Sequence, residues 1–263
     1  MNRLPGDRRI WTLLAFPGSM LLAFWLETGV LARQVAERGP QEDVAYWEAH
    51  VERNPDYVAS RVRLGVAYQQ VGRSDDAEAA YRRALELDGD WDAAALALYG
   101  VESAKGEREA ARTRLEAYAR THPRCAVCWH SLALEYLDLA RLEDAALAVE
   151  ALLASGLTMT TGVYDTEDLR YEAFVLSGRV HSTRGEFDEG IADFREALAR
   201  DVPDARAHIG LARSLLARSK PDEALVVLDQ AELLFPRGDG RTGSQLEATR
   251  RRARAQAARS GRP

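Results

Sequence analysis

Apolar and polar positions alternate in two distinct regimes along this chain. Ile10 to Leu26 reads IWTLLAFPGSMLLAFWL without a single charge, whereas the chain beyond it mixes apolar and charged residues at helical spacing. The second regime repeats. Shifting the sequence by 34 residues aligns units beginning at Val58, Asp92 and Ala126, and two more beginning at Tyr171 and Ala205 are again 34 apart. The step from Ala126 to Tyr171 is 45, so one unit carries an 11-residue insertion. Internal periods of this size predict stacked supersecondary units.

Each unit predicts two helices with a break between them: Gly72-Arg73, Gly106-Glu107, Ala140-Arg141, Gly185-Glu186 and Ser219-Lys220. Glycine suits a tight helix-ending turn because it reaches positive φ without a steric cost. Close helix crossings need small residues, and the eighth position supplies Gly65, Ala133, Gly178 and Ala212, with Tyr99 the exception. The twentieth supplies Ala77, Ala111, Ala145, Gly190 and Ala224. Large residues alternate with these: Leu64, Leu98, Leu132 and Leu211 at the seventh position, and Tyr81, Leu115, Val149, Phe194 and Leu228 at the twenty-fourth. Pro123 and Pro236 are expected to end second helices.

On these residues the chain resembles the tetratricopeptide-repeat (TPR) family. The signature is carried best by Trp129-Leu132-Ala133-Tyr136-Ala145 and nearly as well by Leu64-Gly65-Tyr68-Ala77-Tyr81-Ala84. The resemblance implies an all-α fold, a right-handed superhelical solenoid of helical hairpins, over residues 58 to 238. The register extends backwards: Trp47 and Pro55 fall where an earlier unit would place them, with a second helix over Val44 to Arg53 and a first helix around Phe24 to Arg38. Ser244 to Arg259 is expected to cap the other end with Leu246 and Ala253 inward.

The uncharged opening segment predicts a membrane helix. Its length spans about 25 Å, and continuing to Ala32 brings it to the ~30 Å hydrocarbon core. Trp11 and Trp25 sit near its ends, Pro17-Gly18 is a kink that membrane spans tolerate, and Arg3, Arg8 and Arg9 precede it. The positive-inside rule puts the N-terminus in the cytoplasm and the repeats outside, as in a single-pass protein of a bacterial inner membrane. A cleaved signal peptide with Val30 and Ala32 at the cleavage site is the rival reading, and both export the domain. The division that follows is a cytoplasmic tail 1–9, a transmembrane anchor 10–32, a half-repeat or linker helix 33–57, and five units at 58–91, 92–125, 126–159, 171–204 and 205–238. An insertion 160–170 separates the third and fourth, and a capping helix with a basic tail occupies 239–263.

Composition sharpens this picture in two places. A net charge of −6 argues against nucleic acid as the main partner. The C-terminus is nevertheless locally basic, since Arg237, Arg241, Arg250, Arg251, Arg252, Arg254, Arg259 and Arg262 face only Asp239 and Glu247; a solvated end helix is expected, with anionic lipid or an acidic partner the alternative.

In the family the resemblance points to, first helices line a groove for peptide segments. Carried over by position, that implies Val62, Val66, Gln69, Gln70 and Leu96 early, His130, Leu134, Leu137 and Asp138 in the middle, and Val175, Arg179, Ser182, Arg206, Ile209 and Arg213 late. The groove is expected to be apolar early and basic late, fit for an acidic or C-terminal carboxylate group. The family's chaperone-tail clamp needs Lys and Asn where Val62 and Val66 stand, so it is absent.

One cluster concentrates reactive groups: His122, Cys125, Cys128 and His130. A c-type haem motif fails because Trp129, not His, follows the second cysteine. A redox dithiol at a helix start and a metal site of two thiolates and two imidazoles remain open, but the preferred reading is two cysteines at a repeat junction, free to join as a short disulfide if the domain is exported. Four ligands within nine residues would strain to reach tetrahedral geometry. No HExxH, P-loop, GxSxG or GxGxxG occurs, so no enzymatic role, no cofactor and no small-molecule substrate are expected. His181 and His208 fall on signature positions and are expected to pack, and Ser155 to Arg170 is the most irregular stretch. The functional expectation is a membrane-anchored scaffold for protein partners. The alternative is an accessory factor in thiol or c-type cytochrome maturation acting through Cys125 and Cys128.

Overall fold

A computed structural model describes residues 39–156, 166–200, 202, 204–235 and 240–260. The anchor 10–32, the helix around Phe24 to Arg38 and most of the insertion lie outside them. Every regular element among the described residues is an α helix, and none is long and apolar enough to cross a membrane. In order these are α1 Pro40–Arg53, α2 Val58–Gln70, α3 Ser74–Leu87, α4 Asp92–Ala104, α5 Arg108–Thr121, α6 Ala126–Asp138, α7 Leu142–Ala154, α8 Thr166–Arg184, α9 Phe187–Leu198, α10 Arg206–Ala217, α11 Pro221–Leu234 and α12 Gly240–Ser260. Thr166–Arg170, read from sequence as part of an irregular stretch, belongs to helix α8. The helices cluster into two compact units, one running through Cys128 and one beginning at Trp129.

The helix pairs α2/α3, α4/α5, α6/α7, α8/α9 and α10/α11 all close in the same way. Gly72, Gly106, Ala140, Gly185 and Ser219 take positive φ, at 78°, 93°, 55°, 85° and 58°. The next N–H then reaches the carbonyl five residues back: Arg73 to Tyr68, Glu107 to Glu102, Arg141 to Tyr136, Glu186 to His181 and Lys220 to Leu215, all at 2.8–2.9 Å. This satisfies carbonyls that a helix end would otherwise strand. The same residues then start the following helix, whose first turn carries acids against its positive dipole end, such as Asp75-Asp76 and Asp222-Glu223. Ala140 and Ser219 adopt a left-handed conformation that costs a Cβ-bearing residue about 1–2 kcal/mol.

In the first unit, α1 buries Val44 and Trp47 against Leu64 and Ala67. Val62, Tyr81, Ala84, Ala94, Leu98 and Val101 form the adjoining core. Tyr81 lies flat on Gly65, where an added Cβ would come within 2.5 Å of its ring. One core position is unexpected: Glu102, at the eleventh position where the repeat signature has Tyr, is fully buried. Arg82 reaches it at 3.1 Å and Arg114 binds its second oxygen, so the charge is paired from two helices.

The second unit packs around an aromatic ring instead. Phe194 sits among Tyr171, Val175, Ala207, Leu211 and Ala212, and both Gly178 and Gly210 would clash with it if they carried a Cβ. Helix α12 closes this core with Ala253, while Leu246 packs at its edge. Arg250, read from sequence as part of a solvated basic tail, is buried instead and bonds to Asp229, Glu232 and the Leu228 carbonyl. Its neighbours Arg251, Arg252, Arg254 and Arg259 are exposed.

Candidate functional site

The first helices of the hairpins carry the residues proposed to line a groove, and burial separates them by position. The fifth position goes largely into the core: Val62, His130, Val175 and Ile209 are each 5% exposed or less. They cannot present themselves to a ligand, because these side chains are spent on helix packing. Leu96 alone among fifth positions is half-buried. The ninth position stays accessible, with Val66, Gly100 and Leu134 half-buried and Arg179 and Arg213 exposed. Gln69 is half-buried and accepts the Tyr81 hydroxyl at 2.5 Å, Gln70 and Asp138 are exposed, and Leu137 is half-buried. Ser182 shares a 2.7 Å hydrogen bond with Ser214.

The three arginines expected to make the late groove basic do not behave alike. Arg206 is occupied: one guanidinium nitrogen lies 3.0 Å from Glu172, a second also bonds that carboxylate, and its Nε meets Asp204 at 2.5 Å. Burial would push Glu172 up, but the hydrogen bonds and charges around it outweigh burial and hold it at about 2. His130 Nε2 stands 3.7 Å from Glu172, beyond hydrogen-bond reach, so the Arg206 guanidinium is the main cause. Arg179 and Arg213 differ. They occupy the same position in consecutive hairpins, and neither makes an ion pair among the described residues. The partners of Arg206 escaped the sequence reading, although Glu172 sits 34 residues before it, one repeat earlier.

A separate cleft of about 350 Å³ lies between α7 and α8. Val149, Leu153 and Val180 give it an apolar lining, with Glu150, His181 and Arg184 at its edge. His181 was expected to pack but stays half-exposed, with Nδ1 at 2.6 Å from Asp193. His208 is buried, 6.2 Å from the Phe235 ring centroid, and burial lowers its pKa.

The cysteine cluster divides as well. Cys125 and Cys128 are joined by a disulfide at the start of α6, and neither is more than 1% exposed. A client thiol would have to open that first helical turn before reaching a sulfur. The two histidines of the cluster point elsewhere. His122 stacks on Tyr118 at 4.0 Å and bonds the Tyr118 carbonyl and Asp90, both at 2.9 Å. Burial opposes its charge, but these two acceptors prevail and raise its pKa. His130 lies in the core of the second unit. The residue that does approach the sulfurs is Asp92, at the start of α4 and 33 positions before Cys125; one carboxylate oxygen and both sulfurs lie within 4.8 Å of one another. The Tyr118 hydroxyl donates to Asp92 at 2.9 Å, and burial followed by the Asp92 charge raises its pKa, so it remains a donor.

Paired antiparallel helices closed by a common turn, with small residues at their crossings and an accessible ninth position, define a helical-hairpin repeat protein. Residues 59–91 and 175–239 each match a tetratricopeptide-repeat family profile. These stretches of the chain are tetratricopeptide repeats. No curated protein matches the sequence. Among solved structures it is similar to PilW, described as a widely conserved type IV pilus biogenesis factor (TM-score 0.59, 14% identity, covering 92% of this chain and 99% of that one). It is also similar to PilF of Pseudomonas aeruginosa (0.57, 20%, 79% and 91%) and to YrrB, described as a TPR protein with an unusual peptide-binding site (0.53, 18%, 77% and 96%). At these identities the likeness is one of fold.

Proposed function

We propose that the chain is a protein–protein interaction scaffold that holds an acidic segment of a partner protein across Arg179 and Arg213. The observation that carries this is the contrast among the three arginines. Arg206 is neutralised within the chain, whereas Arg179 and Arg213 stand exposed and without an ion pair among the described residues, one repeat apart. A carboxylate or an extended acidic stretch matches such a pair, because guanidinium groups bind carboxylates bidentately. Leu134 and Leu137 in the same unit add partly exposed apolar surface for the segment's side chains.

The membrane attachment belongs to the same proposal. Residues 10–32 anchor the chain in a bacterial inner membrane as a single span, with the repeats on the extracytoplasmic side, and the scaffold holds or stabilises an envelope complex. The uncharged run Ile10 to Leu26, preceded by Arg3, Arg8 and Arg9, supports this, as does the fold shared with a structure described as a pilus biogenesis factor. No catalytic step is part of the reading.

The test uses the full chain in detergent extract, with co-purified proteins identified by mass spectrometry. Reversing both charges, Arg179→Glu with Arg213→Glu, should reduce recovery of the partner at least roughly tenfold, the effect of about 1.4 kcal/mol, while the melting temperature holds. Equal recovery from both proteins would remove the arginine pair from the reading. An alkaline phosphatase reporter fused after residue 57 should be active if the repeats are exported, and an inactive fusion refutes the topology.

A further inference from the structure

From the placement of Asp92 against the two cysteines we infer that the chain holds a redox-gated metal site: once the Cys125–Cys128 disulfide is reduced, Asp92, Cys125 and Cys128 bind one thiophilic divalent ion of the Zn²⁺ class. The three groups each offer one ligand atom, and these atoms already lie within 4.8 Å of one another. Two thiolates from one turn of helix and a carboxylate from a different hairpin remove the objection to a site built from nine consecutive residues. The distant ligand stands at the start of α4, 33 positions before Cys125. Three protein ligands with a fourth position left for water is a known arrangement for zinc.

Charge supplies the reason a cation belongs there. In the oxidised chain the sulfurs are neutral, and the Tyr118 hydroxyl supports the Asp92 carboxylate at 2.9 Å. Reduction and ionisation place two further negative charges beside that carboxylate in a largely buried site, which is unfavourable unless something compensates. The start of helix α6 favours thiolates but cannot offset all three charges. A divalent ion can. Tyr118 then acts as an outer partner that orients the carboxylate, and outer partners of this kind commonly matter 10- to 100-fold in affinity, roughly.

A dithiol reductant transfers two electrons and two protons to the Cys125–Cys128 bond, which breaks to give two thiols, while the reductant closes to its own disulfide. The ion then replaces the two thiol protons, forming two metal–sulfur bonds and releasing two protons, and the Asp92 carboxylate supplies an oxygen. A disulfide oxidant reverses the sequence: it takes two electrons from the two thiolates and two protons from solvent and leaves as a dithiol, while the Cys125–Cys128 bond reforms and the ion is expelled. The disulfide is thus the closed form of the site.

The experiment takes the full chain, refolded with or without a dithiol, and titrates it with Co²⁺ as a spectroscopic stand-in and with Zn²⁺ by calorimetry. The reduced chain should take up one ion, show the near-ultraviolet thiolate-to-cobalt charge-transfer band, and release close to two protons at a pH below the thiol pKa. The oxidised chain should do none of this. Asp92→Asn should weaken binding in the reduced chain roughly tenfold or more, and Tyr118→Phe by less. Arg179→Glu should leave it unchanged, which separates this site from the proposed groove. Where reduction loosens the fold, recovery of helical circular dichroism on adding Zn²⁺ becomes the readout. Absence of binding and of recovery, equal binding by the oxidised chain, or insensitivity to Asp92→Asn overturns the inference.

Discussion

The two compact units share one repeat register yet use it differently. The unit ending at Cys128 places a charge where the signature has an aromatic residue, tying Glu102 to Arg82 and Arg114, and it pins Lys105 to Asp75 at 2.5 Å and Glu78 at 2.7 Å. Its arginines are mostly consumed internally. The unit beginning at Trp129 places Leu215 at the position equivalent to Glu102 and builds around Phe194 with two glycines against the ring. Most of its arginines are paired as well, among them Arg141, Arg184 and Arg218, but Arg179 and Arg213 project without an ion pair among the described residues. A repeat scaffold thus fixes where side chains stand, while local charge pairing decides which of them are left for a partner.

Phe194→Ala tests whether the two cores are separate. Removing a fully buried ring from the second unit should cost about 3–5 kcal/mol, and hydrogen exchange should show lost protection in α8 to α11 well before α2 to α5. Uniform loss across both units would mean that they do not have separate cores.

A second contrast concerns Glu102. Glu102→Ala should destabilise the first unit by about 2–3 kcal/mol, since it leaves a cavity and strips two arginines of their partner. Glu102→Leu, which copies Leu215, should cost under about 1 kcal/mol, because Arg82 and Arg114 are each nearly half-exposed and can turn to water. Urea melts of the two variants measure the difference. Equal loss would mean that the ion pairs themselves, rather than filled volume, hold this position.

Acid should act on the second unit through Glu172. Its folded pKa, about 2, lies below the ordinary carboxylate value, so its contribution is complete above about pH 4.5 and is lost as the pH falls toward 2. Arg206 is half-exposed, so screening limits the effect to about 1–2 kcal/mol. Glu172→Gln should flatten the fall in melting temperature between pH 5 and pH 3, and an unaltered slope would assign acid sensitivity elsewhere.

The smallest effects lie in the turns. Ala140→Gly and Ser219→Gly should each stabilise by about 0.5–1 kcal/mol, since relief of the left-handed strain exceeds the added chain entropy. Gly106→Ala should do the opposite by about 1 kcal/mol. Thermal melts of the three variants would settle the sign.

The helical hairpins could be read from the sequence because their causes are local. Apolar residues at helical spacing set each helix, and small residues such as Ala77 and Gly178 mark each crossing. The repeat family could be read because five units state the same pattern. The candidate site was only partly legible. Position in the repeat marked Arg179 and Arg213, which stand exposed. It misassigned Val62, His130, Val175 and Ile209, because helical phase does not tell which flank of a first helix its neighbour covers. It also listed Arg206 as available without noticing Glu172 one repeat earlier.

What the amino-acid order determined by itself is the helical class, the 34-residue spacing and the nearness of two cysteines three positions apart. What only the tertiary structure decided is which charges meet: Glu172 with Arg206, Glu102 with Arg82 and Arg114, and Asp92 with the Cys125–Cys128 sulfurs. Helix formation and turn geometry depend on residues within about five positions of each other, so a linear pattern can express them. Electrostatic pairing falls off over a few ångströms of space, and groups 12 to 34 positions apart reach that distance only after the hairpins have packed.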